Sequence, residues 1–179
     1  ENRPLAPQVY ALRLCGDTSA ITAPGQFVNL KLSGFFLRRP ISVCDWENGK
    51  LTLIYKVLGH GTEAMTGMAV GTELDALTGL GNGFDMSSSG EHPLLVGGGV
   101  GIPPLYGLAK RLTAQGKRVT AVMGFNRKTE IFLAEEFRAL GAEVVIATAD
   151  GSAGIHGLVT NGQTDPAFGG RAGRGCGVR

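Results

Sequence analysis

Three cysteines, Cys15, Cys44 and Cys176, make up all the thiol chemistry in 179 residues. They lie far apart, no two have metal-ligand spacing, and an odd number cannot pair off evenly. Neither a disulfide framework nor a zinc module is written here. A reducing compartment follows as the expectation, and the cytoplasm is the simplest one. Long apolar runs are also missing. No stretch approaches the ~20 residues of a membrane helix, and Glu1-Asn2-Arg3-Pro4 does not open like a signal peptide, so no membrane association is expected. Charge of one sign is scarce too. The formal net charge is +2 and the Lys and Arg residues are scattered. Nucleic acid is thereby excluded as the main partner, because phosphate binding of that kind needs a concentrated basic face.

Glycine and apolar side chains are what the chain does have. Hydrophobic residues make up 43% and charged residues 18%, so a packed core is expected rather than disorder. The 29 glycines have no collagen period and fall in tight groups. Such groups occur where backbone must approach a ligand closely.

Two rhythms divide the sequence. Up to about residue 90, short alternating segments are broken by turn residues: Val9–Cys15, Gln26–Leu32, Ile41–Trp46, Leu51–Leu58 and Glu73–Leu77. The Asn48-Gly49 pair between the third and fourth is a strong hairpin signal. Strands at this spacing predict an antiparallel β-barrel or sandwich. After residue 93, Leu94-Leu95-Val96, Val119–Phe125 and Val144–Thr148 read as buried strands. They are separated by helical spacing over Ile102–Gln115 and Ile131–Leu140. That alternation predicts a parallel α/β half. The expected organisation is a β domain over residues 1–90, a partial α/β nucleotide-binding domain over 91–160, and an irregular tail over 161–179. Ser87-Ser88-Ser89-Gly90 suits the joint.

Three constellations carry the chemistry. Gly97-Gly98-Gly99-Val100-Gly101 follows a strand and opens a helix, the place where main-chain N–H groups meet a pyrophosphate. Ile102 stands where a strict dinucleotide fingerprint has its last glycine. Pro103 and Pro104 suit a first helical turn. A plain tight turn is the alternative, and the βαβ context favours the ligand. Arg38-Arg39-Pro40-Ile41-Ser42 places a guanidinium and a hydroxyl on either side of a proline, able to reach two parts of one ligand. An exposed basic strand end would look the same. Ile54-Tyr55-Lys56 runs into Gly59-His60-Gly61-Thr62, with Thr62 placed as a helix N-cap. Tyr55 also suits ordinary strand packing, and His60 a solvent-facing turn.

Together these segments resemble the ferredoxin–NADP reductase superfamily and, within it, the electron-transfer subunits of dihydroorotate dehydrogenase B. Five stretches carry the likeness in order: Pro24–Val28, Leu37–Val43, Tyr55–Thr62, Gly79–Phe84 and Gly97–Pro104. The resemblance implies a flavoprotein with a β-barrel FAD domain and an NAD-binding α/β domain. In it Arg39, Pro40, Ile41 and Ser42 would bind FAD, with Arg39 on the pyrophosphate and Ser42 near the isoalloxazine. Ile54, Tyr55, Lys56, Gly61 and Thr62 would complete the flavin site. Gly97, Gly98, Gly99, Val100, Gly101 and Pro103 would face the pyridine nucleotide, with Gly124–Asn126 and Asp150-Gly151 lining the same crevice. No catalytic acid or base is implied, because the hydride chemistry belongs to the cofactors.

The family also relays electrons through a 2Fe–2S cluster to an FMN-containing dihydroorotate dehydrogenase catalytic subunit, in a heterotetramer serving pyrimidine biosynthesis. The cluster's four cysteine ligands have no counterpart in this sequence, and no metal site is expected. Periodicity also stops after residue 160, from which the expectation is a truncated or frame-shifted copy. The alternatives are the small subunit of a related ferredoxin–NADP or sulfide-dehydrogenase-type oxidoreductase, or a non-catalytic flavin-binding remnant.

Overall fold

Alternation of apolar and polar residues in the first half gives strands with one buried face, and such strands must roll around a shared core. The computed structural model describes residues 1–159. These fall into two compact units, Glu1–Phe84 and a second beginning at Asp85. The tail over 161–179, with Cys176, lies outside the described residues. Among those described, no helix is long and apolar enough to cross a membrane.

The first unit is one antiparallel sheet of six strands: β1 (Asn2–Ala6), β2 (Val9–Cys15), β3 (Phe27–Lys31), β4 (Arg39–Glu47), β5 (Lys50–Lys56) and β6 (Asp75–Leu80). Their order is β1-β2-β5-β4-β3-β6. One apolar cluster fills it, with Leu12, Val28, Leu30, Ile41, Val43, Leu53 and Tyr55 contributed by four strands. Between β5 and β6 in the chain comes α1 (His60–Thr66), whose Met65 is fully buried in that cluster. Asn2 ties this end shut: its Nδ2 donates to Met65 O at 2.7 Å and its Oδ1 accepts from the Tyr55 hydroxyl at 3.2 Å.

Tyr55 is 3% exposed and stacks on Tyr10, with ring centroids 5.7 Å apart. Burial pushes its phenol pKa up to about 12. A phenol whose pKa is raised on folding stabilises the native state below its unfolded value of about 10, and that contribution is lost as pH rises through 12. Alkaline unfolding of the first unit is therefore expected to begin above about pH 10. In Tyr55→Phe that limb should flatten. Titration of stability between neutral pH and about pH 12 checks it, and an unchanged limb would assign the loss to other groups.

The second unit is a parallel sheet of β7 (Leu94–Gly98), β8 (Thr120–Phe125), β9 (Glu143–Thr148) and the short β10 (Ile155–His156), in the order β10-β9-β8-β7. Helix α2 (Pro103–Ala114) joins β7 to β8, and α3 (Ala134–Ala139) joins β8 to β9. This antiparallel sheet followed by parallel α/β is the architecture that the two rhythms predict.

Details differ from the sequence reading for physical reasons. The helix expected over Ile131–Leu140 shrinks to Ala134–Ala139, because Ile131 is extended and Leu133 takes a left-handed φ of 63°. Leu94 and Val96 are only half-buried, since among the described residues β7 pairs with β8 on one side alone. Thr62 is not the N-cap of α1; Gly59 is. Thr62 sits one turn inside, where its Oγ1 accepts from Leu58 N at 2.9 Å and donates to Gly59 O at 3.0 Å.

Candidate functional site

Two consecutive arginines lead into β4, Arg38 just before it and Arg39 at its first position, and the structure gives them different work. Arg38 forms a two-pronged pair with Asp75, at 3.1 Å from Nη1 to Oδ1 and 2.8 Å from Nη2 to Oδ2. The guanidinium beside it holds the Asp75 carboxyl below its usual range. Arg39 instead donates from Nη1 to Leu37 O at 2.6 Å and lies over the Phe35 ring, 5.1 Å from its centroid. These contacts leave its fork directed along the start of α1 rather than into an ion pair.

Gly61 makes room for that fork. A Cβ built on Gly61 would stand 2.6 Å from Arg39 Cζ, closer than real side chains tolerate. The guanidinium thus lies directly against bare backbone. Around it opens a cleft of about 440 Å³ lined by Phe35, Arg39, Leu58, Gly59, His60, Gly61 and Thr62. The hydroxyl of Thr62 staples the Leu58–Gly59 turn that forms one wall. Phe36, Leu37 and Leu58 are largely exposed at the same end of the sheet. A planar cation over glycine backbone, flanked by apolar and aromatic groups, suits a phosphorylated ligand that also carries rings.

The remaining residues of this half divide by strand parity. Arg39 and Ile41 share the face of the core residue Val43, while Pro40 and Ser42 take the opposite face. Ile41 is buried and Ser42 half-buried. On β5, Leu53 and Tyr55 point into the core, whereas Ile54 and Lys56 alternate to the other side. Tyr55 therefore offers a ligand no ring face; its ring is taken by Tyr10 and its hydroxyl by Asn2. Sequence reasoning missed two residues here. Phe35, whose ring lies under Arg39, falls between β3 and β4, where no periodicity marks it. Gln26, buried at 6% exposure, links four backbone groups of two turns, and one buried amide leaves no periodic signal.

In the second unit, β7 runs through Gly97 and Gly98 into a 3-10 turn over Gly99–Gly101, then α2. A Cβ at Gly97 would lie 2.8 Å from Leu105 Cδ1 and 3.2 Å from Gly101 O, so glycine lets the turn close on the strand. Gly99 has a left-handed φ of 50°, and a Cβ on Gly99 or Gly101 would meet only open space. Val100 is exposed at 37%. Pro103 and Pro104 occupy the first turn of α2, where neither has an N–H to give, and Leu105 N already donates to Ile102 O at 2.9 Å. Any main-chain cradle for an anion here belongs to residues 97–101 rather than to the helix itself.

Gly124, Phe125 and Asn126 lie at the end of β8, beside this loop: Gly98 pairs with Gly124 in the sheet register. Asp150 N donates to Asn126 O at 3.1 Å, which brings Asp150-Gly151 to the same carboxyl-terminal edge. Bonds from Ser152 hold the Asp150 carboxyl below its ordinary pKa. Phe125 is buried edge-to-face against Phe132 and does not face the crevice. Among the described residues no group of His, Cys, Asp or Glu is disposed to hold a metal ion. Cys15 is exposed on β2 and Cys44 buried on β4.

No family model matches the chain. It is 44% identical over 168 residues to the dihydroorotate dehydrogenase B (NAD(+)) electron transfer subunit of Bacillus pumilus (strain SAFR-032), covering 89% of this chain and 65% of that protein. To the subunit of the same name from Enterococcus faecalis (strain ATCC 700802 / V583) it is 46% identical over 162 residues, 87% of this chain and 61% of that one. The chain spans a little under two thirds of the length of these curated relatives. Among solved structures, the NADH-dependent reduced ferredoxin–NADP oxidoreductase, studied for flavin-based electron bifurcation, superposes with a TM-score of 0.82 at 32% identity. That match covers 91% of this chain and 60% of the other. Phthalate dioxygenase reductase shares the fold at 19% identity with a TM-score of 0.68, over 84% of this chain and 50% of its own.

Proposed function

We propose, from the homology of this chain to the electron-transfer subunits of dihydroorotate dehydrogenase B, that it is the flavin- and pyridine-nucleotide-binding part of such a subunit. One observation carries the reading: the Arg39 guanidinium seated against Gly61, in a cleft beside exposed apolar side chains. That seat fits a dinucleotide pyrophosphate, and Gly61 leaves the space that a side chain would fill.

In this reading Arg39 takes the FAD pyrophosphate, the 58–62 turn walls it in, and Pro40, Ile41 and Ser42 continue along the flavin. Ile54, Tyr55 and Lys56 contribute from the neighbouring strand, Tyr55 through its position in the backbone alone. The glycines of 97–101, with Val100 and Pro103, receive the reduced pyridine nucleotide, at the strand ends where open α/β sheets bind ligands. FAD held in the Arg39 cleft would supply the hydride-accepting and electron-releasing chemistry. The protein's share is to bind, to orient and to exclude water; no side chain has to move a proton. The described cysteines, one exposed on β2 and one buried on β4, do not fit a 2Fe–2S cluster. The acceptor in the assembled enzyme would be an FMN-containing catalytic subunit that oxidises dihydroorotate in pyrimidine biosynthesis, in the cytoplasm.

The test is spectroscopic. Protein incubated with FAD and desalted should retain a flavin spectrum, and anaerobic NADH should bleach it. Colourless protein, or bound flavin that stays oxidised under NADH, would reject the reading.

A further inference from the structure

We propose that Glu130 sets which pyridine nucleotide the second unit accepts, by occupying Arg127 and so denying a 2′-phosphate its cation. The inference rests on reading that crevice as the nucleotide site. When the phosphates of a dinucleotide lie at the first strand-to-helix turn, its ribose falls near the end of the next strand. An acidic group there accepts the ribose hydroxyls, whereas an arginine accommodates a 2′-phosphate.

Here the end of β8 carries Asn126-Arg127-Lys128, and two cations in a row suggest a phosphate site. The structure reverses that impression. Glu130 ends the short 3-10 turn that follows, and both its carboxylate oxygens turn back. Oε1 lies 3.2 Å from Arg127 Nε, and Oε2 accepts from Asn126 Nδ2 at 3.0 Å. The Glu130 side chain is 23% exposed against 64% for Arg127, so the carboxylate is the anchored partner.

A second carboxylate adds to this. Asp150 sits across the crevice edge, with its N–H on Asn126 O at 3.1 Å; bonds from Ser152 and, to a lesser degree, the Arg127 charge keep it ionised. The two loops are laced further by Lys128 N donating to Ser152 Oγ at 2.7 Å. Arg127 thus faces two carboxylates, Glu130 in direct contact and Asp150 at longer range. A 2′-phosphate carries nearly two negative charges and would meet both carboxylates. A ribose hydroxyl can donate to either without penalty. The geometry therefore points to NADH over NADPH, with Glu130 as the specificity-determining residue.

Calorimetric titration of the full chain with NADH and with NADPH tests this. The unaltered protein should bind NADH more tightly. Glu130→Gln keeps an acceptor for Asn126 but removes the charge; it should raise the ratio of NADPH to NADH affinity about tenfold. Adding Arg127→Ala to Glu130→Gln should abolish the gain. An unaltered NADPH-to-NADH ratio in Glu130→Gln, with NADH still bound, overturns the inference and leaves the nucleotide site standing. Binding of neither nucleotide by the unaltered chain overturns both.

Discussion

Gly61→Ala is expected to cost about 3 kcal/mol of FAD affinity, roughly a hundredfold, while the unfolding midpoint hardly moves. The two halves of that expectation come from the same contact. A methyl group at residue 61 would fall on the guanidinium of Arg39, and a guanidinium is the free end of a flexible side chain. It can swing away, so the fold need not yield. Position 61 lies within α1, where alanine is a better helix former than glycine by about 1 kcal/mol, so stability should hold or rise slightly. What is lost is the placement of the cation against bare backbone, and with it the charge-assisted bonds to pyrophosphate. Arg39→Ala should lose a similar amount. The double variant should lose little more than either alone, because both act through one contact. Retention of the flavin by Gly61→Ala at unaltered affinity would mean that the pyrophosphate is held elsewhere.

Much of the architecture was legible because it rests on periodicity and turn chemistry. Val9–Cys15 alternates and is a strand with those bounds; Asn48-Gly49 joins β4 to β5 with positive φ at both residues. The glycine run 97–101 stands between a strand and a helix as its spacing implied. What stayed hidden depends on partners distant in sequence. Strand β1 contains Pro4 and no clean alternation, and only pairing with β2 makes it a strand. Tyr55 read equally well as ligand contact or core, and only its meeting with Tyr10 and Asn2 decides where the ring goes. Two adjacent arginines look alike in sequence, but Asp75, thirty-seven positions away, claims Arg38 and leaves Arg39 to the cleft. The pairing of Glu130 with Arg127 spans only three residues, yet nothing in the spacing says which way a carboxylate turns at the end of a 3-10 turn.

Gln26→Leu should produce the largest loss of stability, about 3 kcal/mol, without touching any residue of the cleft. Gln26 is buried between two turns of the first unit. Its Oε1 accepts from Thr22 N at 2.7 Å and Ala23 N at 3.0 Å; its Nε2 donates to Gly79 O at 3.3 Å and Gly81 O at 3.0 Å. Leucine fills a similar volume but leaves those two N–H groups and two carbonyls without their partner, and such groups cost about 1–3 kcal/mol each when water cannot replace it. The turn at Gly79–Gly83 has no slack to compensate. Gly79, Gly81 and Gly83 all have positive φ, and a Cβ at Gly79 would stand 2.5 Å from Ala20 O. In a domain of this size the loss corresponds to a fall in midpoint of about 15 °C. Trp46 on β4 is the sole tryptophan of the chain, so its fluorescence reports the first unit by itself. Gln26→Glu separates hydrogen bonding from packing. Its ionised carboxylate keeps the bonds to Thr22 and Ala23 but sets an oxygen against two carbonyls, which raises its folded pKa. Destabilisation should therefore be present at neutral pH and ease as pH falls and the acid gains a proton to donate. A Gln26→Leu midpoint within a few degrees of the unaltered protein, or a Gln26→Glu loss independent of pH, would show that the turns are held by their own backbone instead.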